Sequence, residues 1–508
     1  MSASARLVDL HHRDADWQGL RVVVTGLGVS GFAAADALLE RGARVTVLDA
    51  GSGVAIQAER GTVLDMLGAD VRIGPEHVSQ WPRDLDDTDI VVTSPGWRPD
   101  HPVLSGAGRL GIPVWGEVEL AWRMRSRQGA AAWLCVTGTN GKTTTVRLLE
   151  SMLRAGGLRA LAVGNVGTPV LEAVLHPDPF DVLAVELSSF QLHYTHSLSP
   201  VASCVLNIAP DHVDWHGSYE AYAQAKARVY ARTHVACVYN VQDPATEQMV
   251  IEADVVEGCR AIGFTMGIPD RSMVGLVEDV LADRAFVAQR ADSAAELATL
   301  TDLRPDGVPA PHMVANTLAA AALARAAGVL PAAVREGIRT FVPQEHRITE
   351  VATISGVTFV NDSKATNPHA AAASLGAYPN VVWIAGGQLK GADVDALVAA
   401  VAPRLRGVVL LGVDRDELAQ ALARHAPQVQ VEQVATPETE GMSPDQHDEL
   451  LRGLMDRVID EAAAMARVGD TVLLAPAAAS LDMFRSYEAR GHAFSQAVQR
   501  REGGGRAT

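Results

Sequence analysis

Seven consecutive residues, Gly138-Thr139-Asn140-Gly141-Lys142-Thr143-Thr144, have the side chains and spacing needed to hold a polyphosphate. Glycines let several backbone N–H groups converge on one anion. Lys142 has the reach and charge for the outer phosphates, and the Thr143 hydroxyl is placed to ligate magnesium. The apolar run 131–136 reads as a buried strand, and residues 146–153 read as a helix whose N-terminus adds a favourable partial charge. The spacing Gly138-x-x-Gly141-Lys142-Thr143 is tighter than the general G-x-x-x-x-G-K-[ST] loop. An ordinary turn with a surface lysine is the bland alternative. The coincidence of strand, glycines, Lys-Thr and helix argues against it.

Other polar groups gather at strand ends. Residues 181–185 read as a strand that runs into Glu186. A carboxylate there, beside a phosphate loop, is where magnesium needs a ligand, although a carboxylate at a helix N-terminus would look the same. Gly164-Asn165-Val166-Gly167 is another glycine-rich turn. The strand at 202–207 leads to Asp211, His212, Asp214 and His216, a cluster that favours a metal or catalytic role over packing. Lys226 follows fourteen residues after His212, on an amphipathic helix where a lysine ordinarily faces water. Asn316 lies in the first turn of an alanine-rich helix that runs to Ala327. It could hydrogen-bond a nucleobase or be polar surface. Past a boundary at 341–347, Asn361-Asp362-Ser363-Lys364-Ala365-Thr366-Asn367-Pro368 crowds one strand end with both charges. Further strands end at Gly386-Gly387 and at Ala475-Pro476.

Near the N-terminus, strand 20–25 enters Gly26-Leu27-Gly28-Val29-Ser30-Gly31, followed by a helix over 32–41 and a strand over 44–48 that ends in Asp49. This is a βαβ unit with the G-x-G-x-x-G fingerprint and an acidic residue after its second strand. It specifies phosphates at a helix N-terminus without specifying the nucleotide. A strand at 89–93 ends in Ser94-Pro95-Gly96, a turn at the sheet edge where ligands sit in such folds.

The elements that must position these groups are strands alternating with helices throughout, which defines an α/β chain with open sheets. A length of 508 residues implies about three domains. Hydrophobic residues at 48% and charged residues at 20% fit a globular enzyme. A formal net charge of −17 argues against nucleic acid as the main partner. No run approaches the length of a membrane span, and the polar segment Met1–Trp17 is no signal peptide. Cys135, Cys204, Cys237 and Cys259 lack paired metal spacing. Three of them lie in strand-like apolar runs and read as buried free thiols, which suits a reducing cytoplasm. A cytoplasmic monomer is expected. Residues 250–310 carry no interpretable motif, 435–447 reads as an exposed insertion, and the tail 501–506 is expected to be unstructured.

Taken in order, the 138–144 loop, the Glu186 strand end, Asp211-His212, Lys226, His346-Arg347 and the segment 362–367 resemble the Mur ligases, over about residues 18–500. Within that family, 26–31, 94–96, Glu186-Leu187-Ser188-Ser189-Phe190-Gln191-Leu192 and 475–484, with Arg490-Gly491 beyond, are most similar to the D-glutamate-adding members. The resemblance implies three α/β domains. They are a Rossmann-like UDP-sugar domain over 1–128, a central P-loop ATPase-type domain over 129–343 and a C-terminal Rossmann-like domain over 344–508. It implies ATP and Mg2+ as cofactors, with UDP-N-acetylmuramoyl-L-alanine and D-glutamate as substrates. The implied reaction activates the alanine carboxylate as an acyl phosphate, which the amine of D-glutamate attacks.

The resemblance also assigns residues. Lys142, His212, Lys226 and Lys364 would be catalytic. Thr143, Glu186, His212 and a carbamylated Lys226 would hold metal, since a bare ammonium repels magnesium and a carbamate supplies a hard oxygen. Asn316, Arg347 and Asp362 would join Gly138–Thr144 at ATP. Gly28, Val29, Ser30, Gly31, Asp49, Ser94, Pro95, Gly96 and Asn165 would bind the UDP-sugar. Lys390, Ser480 and Phe494 would bind D-glutamate. Two departures stand out: Ala50-Gly51 follows Asp49 where a side-chain uracil contact is expected, and Met313 stands where some members have asparagine.

Three rival readings have less support. A nicotinamide-dependent dehydrogenase accounts only for residues 20–49. A folylpolyglutamate synthetase leaves residues 20–120 unexplained. A nucleotide-sugar sensor has no use for Lys142, Glu186, His212, Lys226 and Lys364 together.

Overall fold

Runs of valine, isoleucine and leucine, each closed by a glycine or polar turn, form the strands of three sheets, and alanine- and leucine-rich helices cover them. The computed structural model describes residues 7–51, 55–305, 307, 309–342, 348–435 and 444–505. The chain divides into two compact units, one of residues 1–208 and 217–341, the other of 209–216 and 342–508.

The first unit carries two sheets. One has five parallel strands in the spatial order Asp70–Ile73, Arg44–Asp49, Arg21–Thr25, Ile90–Thr93, Val114–Gly116. The chain winds outward from Arg21–Thr25 in one direction and then restarts at Ile90–Thr93 in the other. The crevice between these two strands is therefore the topological switch point where ligands bind in doubly wound sheets. Residues 26–31 and 94–96 both leave the sheet there.

The other sheet has nine strands. Ala132–Thr137 lies between Val182–Glu186 and Ala202–Val205, all parallel, so the 138–144 loop emerges beside the ends of both neighbours. Residues 250–310, silent in the sequence, supply the strand Arg260–Phe264 and then Met273–Val277, Val280–Asp283 and Ala295–Thr299. The last three form an antiparallel meander that extends this sheet.

The two sheets of this unit are tied by buried polar contacts. Glu119 accepts from the backbone N–H groups of His196 and Ser197 and from the Arg123 guanidinium. Glu117, buried in the first turn of helix Glu117–Arg123, accepts from the N–H of Leu171. Burial pushes the Glu117 carboxyl up to about 7. The fold thus favours its protonated form. That stability is fully present below the ordinary glutamate range and is lost as pH rises through 7. Glu117→Gln should remove this loss, so the wild-type denaturation midpoint should fall relative to the variant between pH 5 and pH 8. A difference independent of pH would contradict the assignment.

The second unit carries a six-stranded sheet in the order Thr349–Ile354, Val357–Asn361, Thr471–Leu474, Val381–Gly386, Leu405–Leu411, Gln430–Gln433. Only the first strand is antiparallel. Two expectations are corrected. The helix Tyr487–Gly505 continues through residues expected to be unstructured, with Arg501 paired to Asp460. The helix Pro444–Met465 begins inside the expected 435–447 insertion, of which 436–443 lie outside the described residues. Among the described residues no helix is long and apolar enough to cross a membrane.

Candidate active site

The 138–144 loop is held by its neighbours on both sides. Thr139 N–H donates to the Asn207 carbonyl at 2.9 Å. The Asn207 side chain accepts from Asn140 N–H and donates back to the Asn140 carbonyl. Gly138 and Gly141 have φ of 151° and 86°, so a side chain at either would be strained. A Cβ on Gly141 would also lie 2.4 Å from Oδ1 of Asn316, which places Asn316 directly against the loop. The helix Lys142–Ala155 follows immediately, with its N-terminal amides at the loop as the sequence requires. Thr143 and Thr144 are buried in its first turn.

Lys142 and Lys226 converge. Lys142 Nζ donates to the carbonyls of Gly138 and Thr139, both at 2.9 Å. Lys226 is 2% exposed. Its Nζ donates to the same Gly138 carbonyl at 2.8 Å and to Thr137 Oγ1 at 3.3 Å. The solvated-lysine reading of Lys226 is therefore wrong. Two lysine nitrogens thus meet on one carbonyl oxygen, within about 6 Å of each other.

Glu186 ends the adjacent strand, buried. Its Oε1 accepts from Asn165 Nδ2 at 3.0 Å, and its Oε2 is buried with no hydrogen-bond partner. An orphaned carboxylate oxygen in such a place suits a cation. Asn165, expected with the UDP-sugar, is thus brought to Glu186. Among the described residues no group of three or more His, Cys, Asp or Glu side chains is gathered to hold a metal ion. The set expected from sequence counts only Glu186 and His212 among those types.

On the first sheet, both oxygens of the buried Asp49 accept from backbone, Oδ2 from Leu27 N–H at 2.7 Å and Oδ1 from Gly51 N–H at 2.8 Å. Asp49 thus shapes the glycine loop. A Cβ on Gly31 would lie 1.8 Å from the Gly26 carbonyl, so this glycine is needed for closure. A Cβ on Gly28 or on Gly96 would meet nothing within 4 Å. Those two glycines face open space at the switch point, with Val29, Ser30, Ser94 and Pro95 beside them in sequence.

In the second unit, His212 has φ of 51° and lies 3.6 Å from Asp211 through Nε2. Lys390 has φ of 54°. Left-handed backbone at non-glycine residues costs energy and concentrates at functional sites. Asp362, buried, is bonded by the Ser374 hydroxyl, and Asn367 caps the helix Pro368–Gly376. Lys364 Nζ stands 3.7 Å over the ring of Tyr487. Ser480 is buried where the chain turns after Ala475–Ala477. Arg347 lies outside the described residues.

Phe494 is a correction. It is 0% exposed in the apolar core between the sheet and helix Tyr487–Gly505, so it has no surface to offer a ligand. Its spacing gives the reason: Arg490, Phe494, Ala497 and Val498 recur at helical intervals and form the buried stripe. Two residues carry structure at this site that sequence reasoning had not given them. Tyr487 lies under Lys364. Arg490, also 0% exposed, donates to Ser363 Oγ at 3.0 Å and to the carbonyls of Ser363, Gly386 and Ala478. It ties together the loops that bear Lys364, Lys390 and Ser480. Burial pulls its pKa down to about 9.

Two glycine loops, one with a Lys-Thr pair and an orphaned carboxylate beside it, define a nucleotide-binding enzyme of three α/β sheets. Three family models match successive parts of the chain: the Mur ligase MurD-like N-terminal domain over 20–116, the Mur ligase middle domain over 136–324 and the Mur ligase glutamate ligase domain over 346–478. The chain belongs to the Mur ligase family. It is 54% identical to a UDP-N-acetylmuramoylalanine--D-glutamate ligase of Streptomyces avermitilis, across 95% of this chain and 99% of that one. It is 55% identical to a protein of the same name from Thermobifida fusca, across 95% and 98%. Among solved structures, a UDP-N-acetylmuramate-alanine ligase from Thermotoga maritima is 19% identical. It covers 94% of this chain and 99% of its own, with a TM-score of 0.55, and shows the shared fold.

Proposed function

We propose that this chain is an ATP-dependent ligase that joins D-glutamate to UDP-N-acetylmuramoyl-L-alanine in peptidoglycan precursor synthesis. The full-length identity with relatives that bear that name carries the reading. The domain boundaries at 128/129 and 343/344, the cytoplasmic location and the monomeric state belong to the same proposal. A folylpolyglutamate-type ligase is disfavoured by the MurD-like domain over residues 20–116.

In the proposed mechanism an oxygen of the alanine carboxylate attacks the γ-phosphorus of ATP, and ADP leaves. The amine of D-glutamate then attacks the acyl carbon, an amide forms, and phosphate departs with one carboxylate oxygen. Two anions must meet, so positive charge is the main requirement. Lys142 supplies it at the 138–144 loop, and Lys364 on Asn361–Asn367 is assigned the same role. Asn316 is assigned to adenine, with Arg347 and Asp362 at the rest of ATP. The cradle of Gly28, Gly31 and Gly96 is assigned to the diphosphate of the sugar nucleotide, with Asp49 holding the loop. Lys390 and Ser480 are assigned to D-glutamate.

Mg2+ would be held by Thr143, Glu186, His212 and Lys226 as a carbamate, and would neutralise phosphate charge. The partnerless Glu186 oxygen supports this. The burial of Lys226 beside the loop supports it as the modified residue; carbamylation requires a neutral amine, whose nitrogen bonds the carbon of carbon dioxide and gives up a proton.

The test is phosphate release from ATP with UDP-N-acetylmuramoyl-L-alanine, comparing D-glutamate, L-glutamate, L-lysine and meso-diaminopimelate. D-Glutamate should be preferred over its enantiomer by a hundredfold or more, on the order expected when inversion leaves buried polar groups unpaired. Equal use of both enantiomers would refute the assignment.

A further inference from the structure

Cys237 and Cys259 are not part of the site above, and they are not isolated thiols. The parallel strands Ala236–Asn240 and Arg260–Phe264 pair Ala236 with Arg260 and Cys237 with Ala261. Cys259 therefore falls one place before the pairing begins, and by alternation its side chain shares a face with Cys237 on a diagonal. The two sulfurs are 3.8 Å apart. Cys237 is buried within the core, and Cys259 packs against the same core from its edge, partly buried.

We propose that Cys259 and Cys237 form a peroxide-oxidisable dithiol that closes to a reversible intrachain disulfide. Their environments divide the work. The Cys237 S–H bond, neighbouring backbone N–H groups and Arg260 draw the Cys259 thiol below its ordinary range, while the same contact and burial push Cys237 up. A low-pKa, accessible thiol beside a protonated, buried one is the arrangement of an attacking and a resolving cysteine.

In the first step the Cys259 thiolate attacks one oxygen of a hydroperoxide. The O–O bond breaks, the sulfur becomes a sulfenic acid, and the other oxygen leaves as hydroxide or alkoxide, which takes a proton from solvent to become water or an alcohol. The Cys237 sulfur then attacks the Cys259 sulfur. An S–S bond forms, the S–O bond breaks, and hydroxide leaves with the Cys237 proton as water. Two electrons pass from the thiols to the peroxide. Closing from 3.8 Å to a bond of about 2 Å brings the sulfurs about 2 Å nearer, and the diagonal placement asks the chain around Cys259, just before its strand begins, to shift with them. Cys135 and Cys204 serve as internal controls, because both are fully buried and burial raises both thiols.

The experiment treats the full-length protein with hydrogen peroxide, blocks remaining thiols by alkylation and maps peptides without reduction. The expected result is one cross-linked peptide joining Cys237 to Cys259, reversed by dithiothreitol, with Cys135 and Cys204 still alkylated. In Cys237→Ser, Cys259 should instead be trapped as a dimedone adduct, on the order of tenfold faster than either control thiol. Sulfinic acid at Cys259 of the wild-type protein without a cross-link, or equal oxidation of all four cysteines, would overturn the proposal. The wild-type map decides the matter even if the variant fails to fold.

Discussion

Lys142→Ala is expected to lower turnover by at least about a hundredfold while leaving the affinity for UDP-N-acetylmuramoyl-L-alanine unchanged. The first effect follows from removing a fixed cation at a phosphate whose charge is redistributed in the transition state, a loss on the order of 3 kcal/mol or more. The second follows from topology. The cradle proposed for the sugar nucleotide lies at the switch point between Arg21–Thr25 and Ile90–Thr93, on a different sheet from Lys142. Lys142 also holds the carbonyls of Gly138 and Thr139. Circular dichroism and calorimetric titration of the sugar nucleotide should therefore accompany the kinetics. More than a few per cent residual activity, or loss of sugar-nucleotide binding in a folded variant, would contradict the loop assignment.

Lys226→Ala should lose nearly all activity, and short carboxylates such as acetate or formate should restore part of it. Rescue is the informative result. If the working form is a carbamate, the missing group is an oxygen pair of negative charge, which a small carboxylate can replace in the space vacated by the side chain. Lys226→Arg should show no rescue, because guanidinium fills the space with the wrong charge. If Lys226 instead acts as an ammonium on the Gly138 carbonyl, rescue should follow small amines rather than carboxylates. Mass analysis under carbon dioxide would then find no labile adduct.

The three sheets and the two glycine loops were legible because each rests on local chemistry. Strand, glycine turn and helix follow within about fifteen residues at Arg21–Gly31 and again at Ala132–Thr144. The convergence of Lys142 and Lys226 on one carbonyl was not legible, since eighty-four positions of chain separate them and only folding brings them together. The meander at Met273–Thr299 escaped notice for a different reason. Its strands are short and lie at the sheet edge, so no long apolar run announces them. Phe494 was misplaced although its signal was present. The family resemblance alone assigned it to a ligand contact, while the helical spacing of Arg490, Phe494 and Val498 pointed inward. Arg490 itself breaks the usual expectation for a guanidinium. Only the structure reveals the carbonyls of Ser363, Gly386 and Ala478 that make its burial tolerable.

The central claim is that a substrate carboxylate is activated by phosphoryl transfer and then captured by D-glutamate. It is tested most directly with UDP-N-acetylmuramoyl-L-alanine carrying heavy oxygen in the alanine carboxylate. Phosphate released in the presence of ATP and D-glutamate should contain one heavy oxygen per molecule, because that oxygen bridges carbon and phosphorus before the amine attacks. Released phosphate free of label, with amide formed or not, would contradict the account.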